Sequence, residues 1–216
     1  MSRDLEPDGS QVQRDVEATG REFTALQADL ADRGSVTDLV ARLEDMGRDV
    51  DILVNNAGTI RRADAVDHAD ADWDEVLAVN LSSQFVLTRE IGRGMVARGR
   101  GKIIFTASML SFQGGIRVPS YTASKSAVRG LTLALANEWA ACGVNVNAIA
   151  PGYIATDNTQ ALRDDSGRSR AILERIPAGR WGEPSDLEGA IVFLASAASD
   201  YVHGVTLPVD GGWLAR

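Results

Sequence analysis

The chain has 216 residues, of which 44% are hydrophobic and 24% charged, and its formal net charge is −8. This length fits one α/β domain with a sizeable core, and the composition is that of a globular protein. The negative charge argues against a nucleic-acid or anionic-membrane surface. No apolar run is long enough to span a bilayer, so we expect no membrane partner.

Cysteine and histidine are scarce. Cys142 is the only cysteine in the sequence, so we expect no intrachain disulfide and no metal cluster, which favours the reducing cytoplasm as the location. His68 and His203 are far apart and have no partner pattern, so surface or packing roles are expected for both. Residues 1–8 are acidic and lack the apolar core of a signal peptide.

Apolar runs alternate with amphipathic stretches, the pattern of βαβ units in a parallel sheet. In chain order, helices are predicted over residues 11–19, 35–46, 73–96, 121–140 and 186–196. Strands are predicted over residues 23–28, 51–55, 102–107, 144–150 and 206–209. Because no repeat, low-complexity tract or linker interrupts this pattern, we expect a single domain.

Residues 157–181 differ in character from the rest of the chain. They are polar and carry five arginines, namely Arg163, Arg168, Arg170, Arg175 and Arg180. They also follow the carboxyl end of a predicted strand, which is where open α/β sheets place ligands. The segment is therefore predicted to be a substrate lid, with a solvated helical excursion as the open alternative.

Tyr121 and Lys125 are four residues apart, so on a helix they share one face. A phenol titrates only at about pH 10, and a neighbouring ammonium would favour the phenolate and lower that pKa. Ser108 precedes the pair and could hold a carbonyl or alcohol oxygen while the phenol exchanges its proton. These three residues predict the oxidation of an alcohol or the reduction of a ketone, with a separate hydride carrier.

Five features follow one another along the chain: Asn55-Asn56-Ala57-Gly58, Asn80, Ser108, Tyr121-x-x-x-Lys125 and Pro151-Gly152. In content and spacing they resemble the short-chain dehydrogenase/reductase family. Residues 108–121, 147–153, 175–182 and 209–216 are similar to its 2-deoxy-D-gluconate 3-dehydrogenase group. The resemblance implies a Rossmann-like, doubly wound parallel sheet, a deoxy-ketogluconate-type sugar acid as substrate and a homotetramer. It also implies NAD as the cofactor, with NADP left open.

The resemblance further implies a role for each matching residue. Tyr121 would be the acid/base, Lys125 would lower its pKa and bind the nicotinamide ribose, and Ser108 would orient the reacting oxygen. Asn80 would hold a water that relays protons. Besides Tyr121 and Lys125, the cofactor would be lined by Asp29, Asn56, Ala57, Gly58, Pro151, Gly152, Ile154 and Thr156.

A sugar acid presents a carboxylate, for which a planar guanidinium is a natural partner. Arg117, on the segment that leads to Tyr121, is the first candidate, and Arg62 and Arg180 are the next two. Gln113 is expected to complete the substrate site with Ser108 and Tyr121. For each arginine, an ordinary surface ion pair is the open alternative.

A glycine-rich turn between the first strand and first helix should bind the pyrophosphate in this fold, but no Gly-x-Gly-x-x-Gly or Thr-Gly-x-x-x-Gly-x-Gly occurs. We therefore expect an N-terminally truncated domain, lacking roughly 30 residues of strand, helix and second strand. A mis-assigned start or a shortened chain would both explain this. Residues 23–28 would then have no partner strand, apolar surface would be bare, and the chain would bind a nicotinamide dinucleotide poorly.

Two other functions stay open. A 3-oxoacyl-carrier-protein reductase would use the same catalytic residues, but it would need a basic face for its acidic carrier protein and would normally prefer NADPH. A chain without a cofactor cradle could instead be a non-catalytic interaction protein. An acyl thioester assay tests the first alternative, and the DNA upstream of Met1 tests the second.

Overall fold

The structure is a computed structural model that describes residues 9–216, apart from the side chain of Asn158. Its helices are α1 (Gln11–Ala18), α2 (Arg33–Asp45), α3 (Asp70–Leu77), α4 (Ser83–Arg98), α5 (Pro119–Trp139), α6 (Gln160–Asp164), α7 (Ser166–Arg175) and α8 (Glu188–Ala195). Its strands are β1 (Ile52–Asn55), β2 (Gly101–Thr106), β3 (Val144–Pro151) and β4 (Thr206–Val209). The alternation of strands and helices that the sequence predicts is therefore present from β1 to β4.

The four strands form one parallel sheet in the order β1-β2-β3-β4. In its register, Ile103 of β2 lies between Leu53 of β1 and Val146 of β3. Because all four strands run in the same direction, their carboxyl ends meet at one edge of the sheet. This edge is where a parallel α/β sheet places its functional residues.

Helices cover both faces of the sheet. On one face, α4 and α5 pack against a core that contains Ile103 and Phe105. On the other face, Leu194 of α8 meets Ile104 and Ile149. Successive residues of a strand point to opposite faces, so β2 contributes to both cores. The sheet is therefore the middle of three layers, as expected of a Rossmann-like α/β fold.

Local chemistry sets several helix boundaries. The carboxylate of Asp32 accepts hydrogen bonds from the N–H groups of Gly34 and Ser35, both at 3.1 Å, where α2 begins. Asp165 caps α7 in the same way, and Pro119 stands in the first turn of α5, where a missing N–H is tolerated. Among the described helices, none is long and apolar enough to cross a membrane.

The strand predicted over residues 23–28 is wrong, because within this stretch only Gln27 takes part in an isolated β-bridge. A strand needs a neighbour along its length, and the four-stranded sheet does not include this segment. Its end instead contributes Ala28 to an apolar cluster between α2 and α4. Local apolar character therefore predicted burial correctly and pairing incorrectly.

Two predicted helices differ in their details. The helix predicted over residues 73–96 begins earlier, at Asp70, and ends later, at Arg98, and a π-helical segment (Ala78–Ser82) separates α3 from α4. The helix predicted over residues 186–196 opens with a 3₁₀ turn, Pro184–Leu187, before α8. Short 3₁₀ turns are common where helices begin, and periodicity alone does not distinguish them from α-helix.

Within the sheet formed by residues 9–216, strand β1 lies at the border and pairs with β2 alone. Leu53 and Asn55 are buried, whereas Ile52 and Val54, which point to the other face, are 46% and 39% exposed. Within residues 9–216, the bare apolar surface expected from the sequence is therefore found at β1.

Candidate active site

The predicted site residues gather at the carboxyl edge of the sheet. Residues 56–58 follow β1, Ser108 lies two residues after β2, and residues 152–156 follow β3. Tyr121 and Lys125 lie in the first two turns of α5, which packs against β3. The fold thus brings together segments that are far apart in the sequence.

Lys125 and Tyr121 face each other as their spacing predicted. The Lys125 ammonium nitrogen lies 5.6 Å from the centroid of the Tyr121 ring. The same nitrogen donates a hydrogen bond to the carbonyl oxygen of Thr106, at 2.6 Å. Because Thr106 is the last residue of β2, this bond fixes the ammonium at the end of the strand.

Burial has the largest effect on the pKa of both residues. Loss of water raises the pKa of Tyr121 above its usual value, while hydrogen bonding to Ser108 and the charge of Arg62 act in the opposite direction. Burial also lowers the pKa of Lys125 from 10.5 to about 8. The lowered phenol pKa expected from the sequence is therefore wrong for this structure, because desolvation of the phenolate outweighs the Ser108 hydrogen bond and the Arg62 charge.

The π-helical segment brings Asn80 into the site. The Asn80 side-chain oxygen accepts from the N–H of Thr59 at 2.8 Å, and its amide nitrogen donates to the Thr59 carbonyl at 2.9 Å and to the Ser124 hydroxyl at 3.1 Å. Asn80 is fully buried. It therefore ties the turn after β1 to α5, in a local geometry that is frequent at functional sites. Its role in a water relay stays a prediction.

Ser108 is held by its own turn. Its hydroxyl oxygen accepts from the N–H of Leu110 at 3.1 Å, and its backbone N–H donates to the hydroxyl of Ser111 at 3.3 Å. The Ser111 hydroxyl in turn donates to the carbonyl of Lys125 at 2.6 Å. The bond from Leu110 occupies one lone pair of the Ser108 oxygen, so the Ser108 hydrogen can donate within the site, where Ser108 hydrogen-bonds to the Tyr121 phenol.

The turn after β1 lies close to Asn80 and Lys125. A Cβ atom added to Gly58 would lie 3.4 Å from the Asn80 side-chain oxygen and 3.7 Å from the Lys125 ammonium. An ammonium beside this exposed turn is a suitable donor for ribose hydroxyls. After β3, a Cβ atom on Gly152 would lie 2.6 Å from Cα of Asp210, so only glycine allows the two loops to approach this closely. These residues fit the nicotinamide ribose of a dinucleotide.

The other predicted cofactor residues lie around the same edge. The Asn56 side-chain oxygen accepts from the hydroxyl of Thr106 at 3.0 Å. Ala57 is half-buried and Pro151 ends β3, while Ile154 is buried and Thr156 begins a 3₁₀ turn. The carboxylate of Asp29 accepts from the N–H of Ala31 at 2.9 Å. No glycine-rich turn between a strand and a helix is present among residues 9–216.

Arg117 and Arg180 each form an ion pair. The guanidinium of Arg117 lies 3.0 Å from the carboxylate of Asp64. Arg180 binds Asp186 through two hydrogen bonds of 2.7 and 2.8 Å and holds the pKa of that carboxyl well below its usual range. The surface ion pair considered for each arginine therefore describes these two.

The charge of Arg62 acts on the Tyr121 phenol and opposes the rise in its pKa. Gln113 lies between β2 and α5, where its side-chain oxygen accepts from the indole of Trp213 at 3.3 Å and from Arg175 at 3.4 Å. The guanidinium of Arg175 also lies over the Trp213 ring, 4.0 Å from its centroid. Gln113 therefore joins the C-terminal residues to α7.

Residues 157–181 form α6 and α7 and pack beside the site. Ile172 and Ile176 join a buried apolar cluster with Met109, which follows Ser108 directly. Tyr153 contacts the cluster edge-on, with its ring 4.8 Å from that of Trp213. This apolar contact supports the predicted lid over a purely solvated excursion.

Sequence reasoning missed five residues that the structure brings to the site, namely Thr59, Asp64, His68, Thr106 and Ser124. Thr59 follows the Asn55–Gly58 motif directly, and Ser124 lies within Tyr121-x-x-x-Lys125, so their positions were available as signals. Asp64 and His68 carry no such signal, because their partners are on α5 or on the loop before it.

The chain is similar to known proteins over nearly its whole length. A family model described as enoyl-(acyl carrier protein) reductase matches residues 2–214. A 2-dehydro-3-deoxy-D-gluconate 5-dehydrogenase from Pseudoalteromonas atlantica is 59% identical over 216 residues, which are 100% of this chain and 85% of that protein.

Two solved structures share the fold. A protein from Beutenbergia cavernae, provisionally described as an NAD(P)-dependent gluconate 5-dehydrogenase with NADP bound at low occupancy, has a TM-score of 0.91 and 53% identity, covering 95% of this chain and 82% of its own. A gluconate 5-dehydrogenase from Burkholderia cenocepacia, in complex with NADP and tartrate, has a TM-score of 0.90 and 40% identity, covering 95% and 80%.

Proposed function

Because the chain belongs to the short-chain dehydrogenase/reductase family, we propose that it is an NAD(P)-dependent oxidoreductase acting on a secondary alcohol or ketone of a deoxy-ketogluconate-type sugar acid. The observation that carries this proposal is the grouping of Ser108, Tyr121 and Lys125 at the carboxyl edge of the sheet, in a chain that is 59% identical to a dehydrogenase of such an acid.

In the proposed reaction, Ser108 donates its hydroxyl hydrogen to the reacting oxygen of the substrate and orients it. Tyr121 gives its phenol proton to that oxygen in ketone reduction and takes a proton from it in alcohol oxidation. The Lys125 ammonium, fixed by Thr106, stabilises the phenolate form while it exists. Asn80 holds the turn after β1 in place against α5, beside Lys125.

The bound cofactor supplies or accepts the hydride. Lys125, Tyr121 and the Asn56–Gly58 turn would hold its nicotinamide ribose, with Pro151, Gly152, Ile154 and Thr156 on the other side. Asp29 is proposed to meet the adenine. The sequence favoured NAD, whereas the two solved relatives carry NADP, so both nicotinamide cofactors are part of the proposal.

Arg62 is the arginine we propose as the partner of the substrate carboxylate. The charge of Arg62 acts on the Tyr121 phenol, so an anion bound to its guanidinium would lie within electrostatic range of the reacting group. The tartrate complex of the Burkholderia relative is in keeping with carboxylate binding in this family.

A homotetramer in the cytoplasm completes the proposal. Large apolar side chains stand exposed on three helices, with Phe85 on α4, Leu133 on α5, and Val192 and Phe193 on α8. Exposed apolar surface of this kind marks contacts between proteins. Light scattering would measure the oligomeric state. The scarcity of cysteine supports a reducing compartment.

The proposed activity is tested by following the absorbance of the reduced nicotinamide with purified protein of verified mass. The substrates are 2-dehydro-3-deoxy-D-gluconate with NAD⁺ or NADP⁺, and the ketone formed by its oxidation at carbon 5 with NADH or NADPH. A 3-oxoacyl thioester is tested with NADH and NADPH. We expect turnover of the sugar acid and about a 100-fold or greater loss in Tyr121→Phe, because the general acid is removed.

The outcomes separate the rival functions. Faster turnover of the thioester than of the sugar acid would favour an acyl-carrier-protein reductase. Folded protein without turnover of any of these substrates would contradict the proposed activity and favour a non-catalytic interaction protein. Activity that survives in Tyr121→Phe would show that the proton is moved by another group.

A further inference from the structure

Three contacts join the loop after β1 to the beginning of the catalytic helix. The N–H of Ala63 donates to the carbonyl of Arg117 at 3.1 Å, and the Arg117 guanidinium pairs with Asp64 at 3.0 Å. A ring nitrogen of His68 shares a hydrogen bond of 3.0 Å with the hydroxyl of Ser120. We call these five residues the loop clasp.

The backbone of Arg117 indicates that the clasp holds a strained conformation. Its φ is +64°, and within residues 9–216 it is the only residue other than glycine with a positive φ. Such a conformation persists only where the surroundings fix it, and it is concentrated at functional sites. Here the carbonyl and the side chain of Arg117 are both bound by neighbouring residues of the loop, Ala63 and Asp64.

The clasp lies directly beside the two groups that would meet the substrate. Arg62 precedes Ala63, and Tyr121 follows Ser120. Ser120 is fully buried in the first turn of α5, and the second ring nitrogen of His68 is enclosed without a hydrogen-bond partner among the described residues. The only polar attachment of the His68 ring found in this part of the chain is therefore to the residue before Tyr121.

We propose that Asp64 and His68 are positioning residues, which keep Arg62 and Tyr121 at a fixed separation so that one binds the substrate carboxylate while the other reaches the reacting oxygen. The inference rests on the proposed function for the identity of the substrate. The distance between Arg62 and Tyr121 then determines which acids are accepted, because the carboxylate and the reacting carbon of the substrate must be the same distance apart. Neither Asp64 nor His68 touches the substrate.

The solvent exposure of the Arg117–Asp64 ion pair distinguishes a positioning role from a role in folding stability. The side chains of Arg117 and Asp64 are 55% and 64% exposed, and ion pairs in water contribute little to folding stability. Removing the Asp64 charge should therefore leave the fold intact and change the geometry of the site. Breaking an ion pair that lies away from the site should leave both the fold and the geometry of the site unchanged.

The kinetic test compares Asp64→Asn with Asp49→Asn, which removes an aspartate that is 61% exposed and forms an ion pair of 2.9 Å with Arg98, away from the site. With the sugar acid, we expect Asp64→Asn to raise KM about 5- to 10-fold with kcat changed less than about 3-fold, because carboxylate binding is loosened. With a neutral ketose as substrate, its KM should not change. Asp49→Asn should match the parent protein with both substrates.

His68 is tested by rescue. His68→Phe removes the hydrogen bond to Ser120 and should raise the KM for the sugar acid, whereas His68→Gln retains a side chain able to hydrogen-bond and should restore most of the parent value. Equal values in the two variants would overturn the role of His68.

A second readout does not depend on turnover. Ring resonances of Tyr121, assigned with the Tyr121→Phe variant in tyrosine-labelled protein, should move in the same direction in Asp64→Asn as in Arg62→Gln, and should stay in place in Asp49→Asn. Unmoved Tyr121 resonances in Asp64→Asn, alongside shifted ones in Arg62→Gln, would overturn the clasp. An absence of sugar-acid turnover in the parent protein would contradict the proposed function alone, since the resonances still decide the clasp.

Discussion

The ammonium of Lys125 and the ring of Tyr121 lie on one face of α5, 5.6 Å apart, and burial acts on them in opposite directions. It lowers the pKa of the lysine to about 8 and raises that of the phenol. Both shifts favour the neutral forms of the two groups. A bound anion or phenolate would therefore gain from Lys125 only where the ammonium keeps its proton.

The depressed pKa of Lys125 predicts how stability depends on pH. Between about pH 8 and about pH 10 the unfolded chain holds more protons on this lysine than the folded one, so the free energy of unfolding rises with pH. We expect Lys125→Met to remove this rise, which amounts to about 2 kcal/mol over that range. Urea denaturation of both proteins at several pH values measures the difference. Parallel pH profiles would contradict the prediction.

The raised pKa of Tyr121 sets the upper end of the pH range over which this rise in stability is expected. Above about pH 10 the folded state retains the phenol proton longer than the unfolded state, so stability falls as pH rises further. This fall in stability above about pH 10 should be absent from Tyr121→Phe, which serves as its control.

Asn80 gives a second prediction, because it satisfies both backbone groups of Thr59 while fully buried. Asn80→Ala leaves the Thr59 N–H and carbonyl without this partner and should lower the free energy of unfolding by about 1–3 kcal/mol. Asn56→Ala removes an exposed amide from the same turn and should change stability by less than about 0.5 kcal/mol. Chemical denaturation measures both, and equal effects would show that burial is not the cause.

The contact between α4 and α5 gives a third prediction. A Cβ atom at Gly92 would lie 2.7 Å from the Trp139 ring, whereas at Gly130 it would meet nothing within 4 Å. Gly92→Ala should therefore lower stability by about 1–3 kcal/mol through overpacking. Gly130→Ala should raise it by about 0.5–1 kcal/mol, since alanine favours helix. Thermal unfolding gives the sign of each change, and a stabilised Gly92→Ala would contradict the packing described here.

The sequence predicted the strands from β1 to β4 and the principal helices because hydrophobic periodicity is a local signal. The pairing of residues 23–28 depends on a neighbouring strand, which periodicity does not contain, and that prediction is wrong. The π-helical segment around Asn80 was also missed, since one extra residue in a helical turn leaves the apolar pattern nearly unchanged.

In the candidate site, too, local spacing was predictable from the sequence and contacts between distant segments were not. The spacing of Tyr121 and Lys125 was enough to place both on one helix face. The partner of Arg117 was not predictable, because Asp64 is distant in sequence and the pair forms only when two loops meet at the sheet edge. The poor binding of a nicotinamide dinucleotide expected from the missing glycine-rich motif stays a prediction, and calorimetry with protein of verified mass would contradict it if micromolar affinity were found.

The open edge of β1 gives the last prediction. Ile52 and Val54 are exposed on a strand that pairs on one side only within the described sheet, and such an edge can accept a strand from another molecule. Val54→Lys places a charge on this edge and should reduce concentration-dependent association, because pairing would then bury an unpaired ammonium. Val66→Lys is the matched control, since Val66 is 92% exposed in a short 3₁₀ turn outside the sheet and the change in charge is the same. Light scattering over a range of protein concentrations would compare the two variants.

If Val66→Lys reduces association as much as Val54→Lys, net charge rather than the β1 edge controls association. Slower amide hydrogen exchange in β1 at high concentration, lost only in Val54→Lys, would locate the contact on this strand.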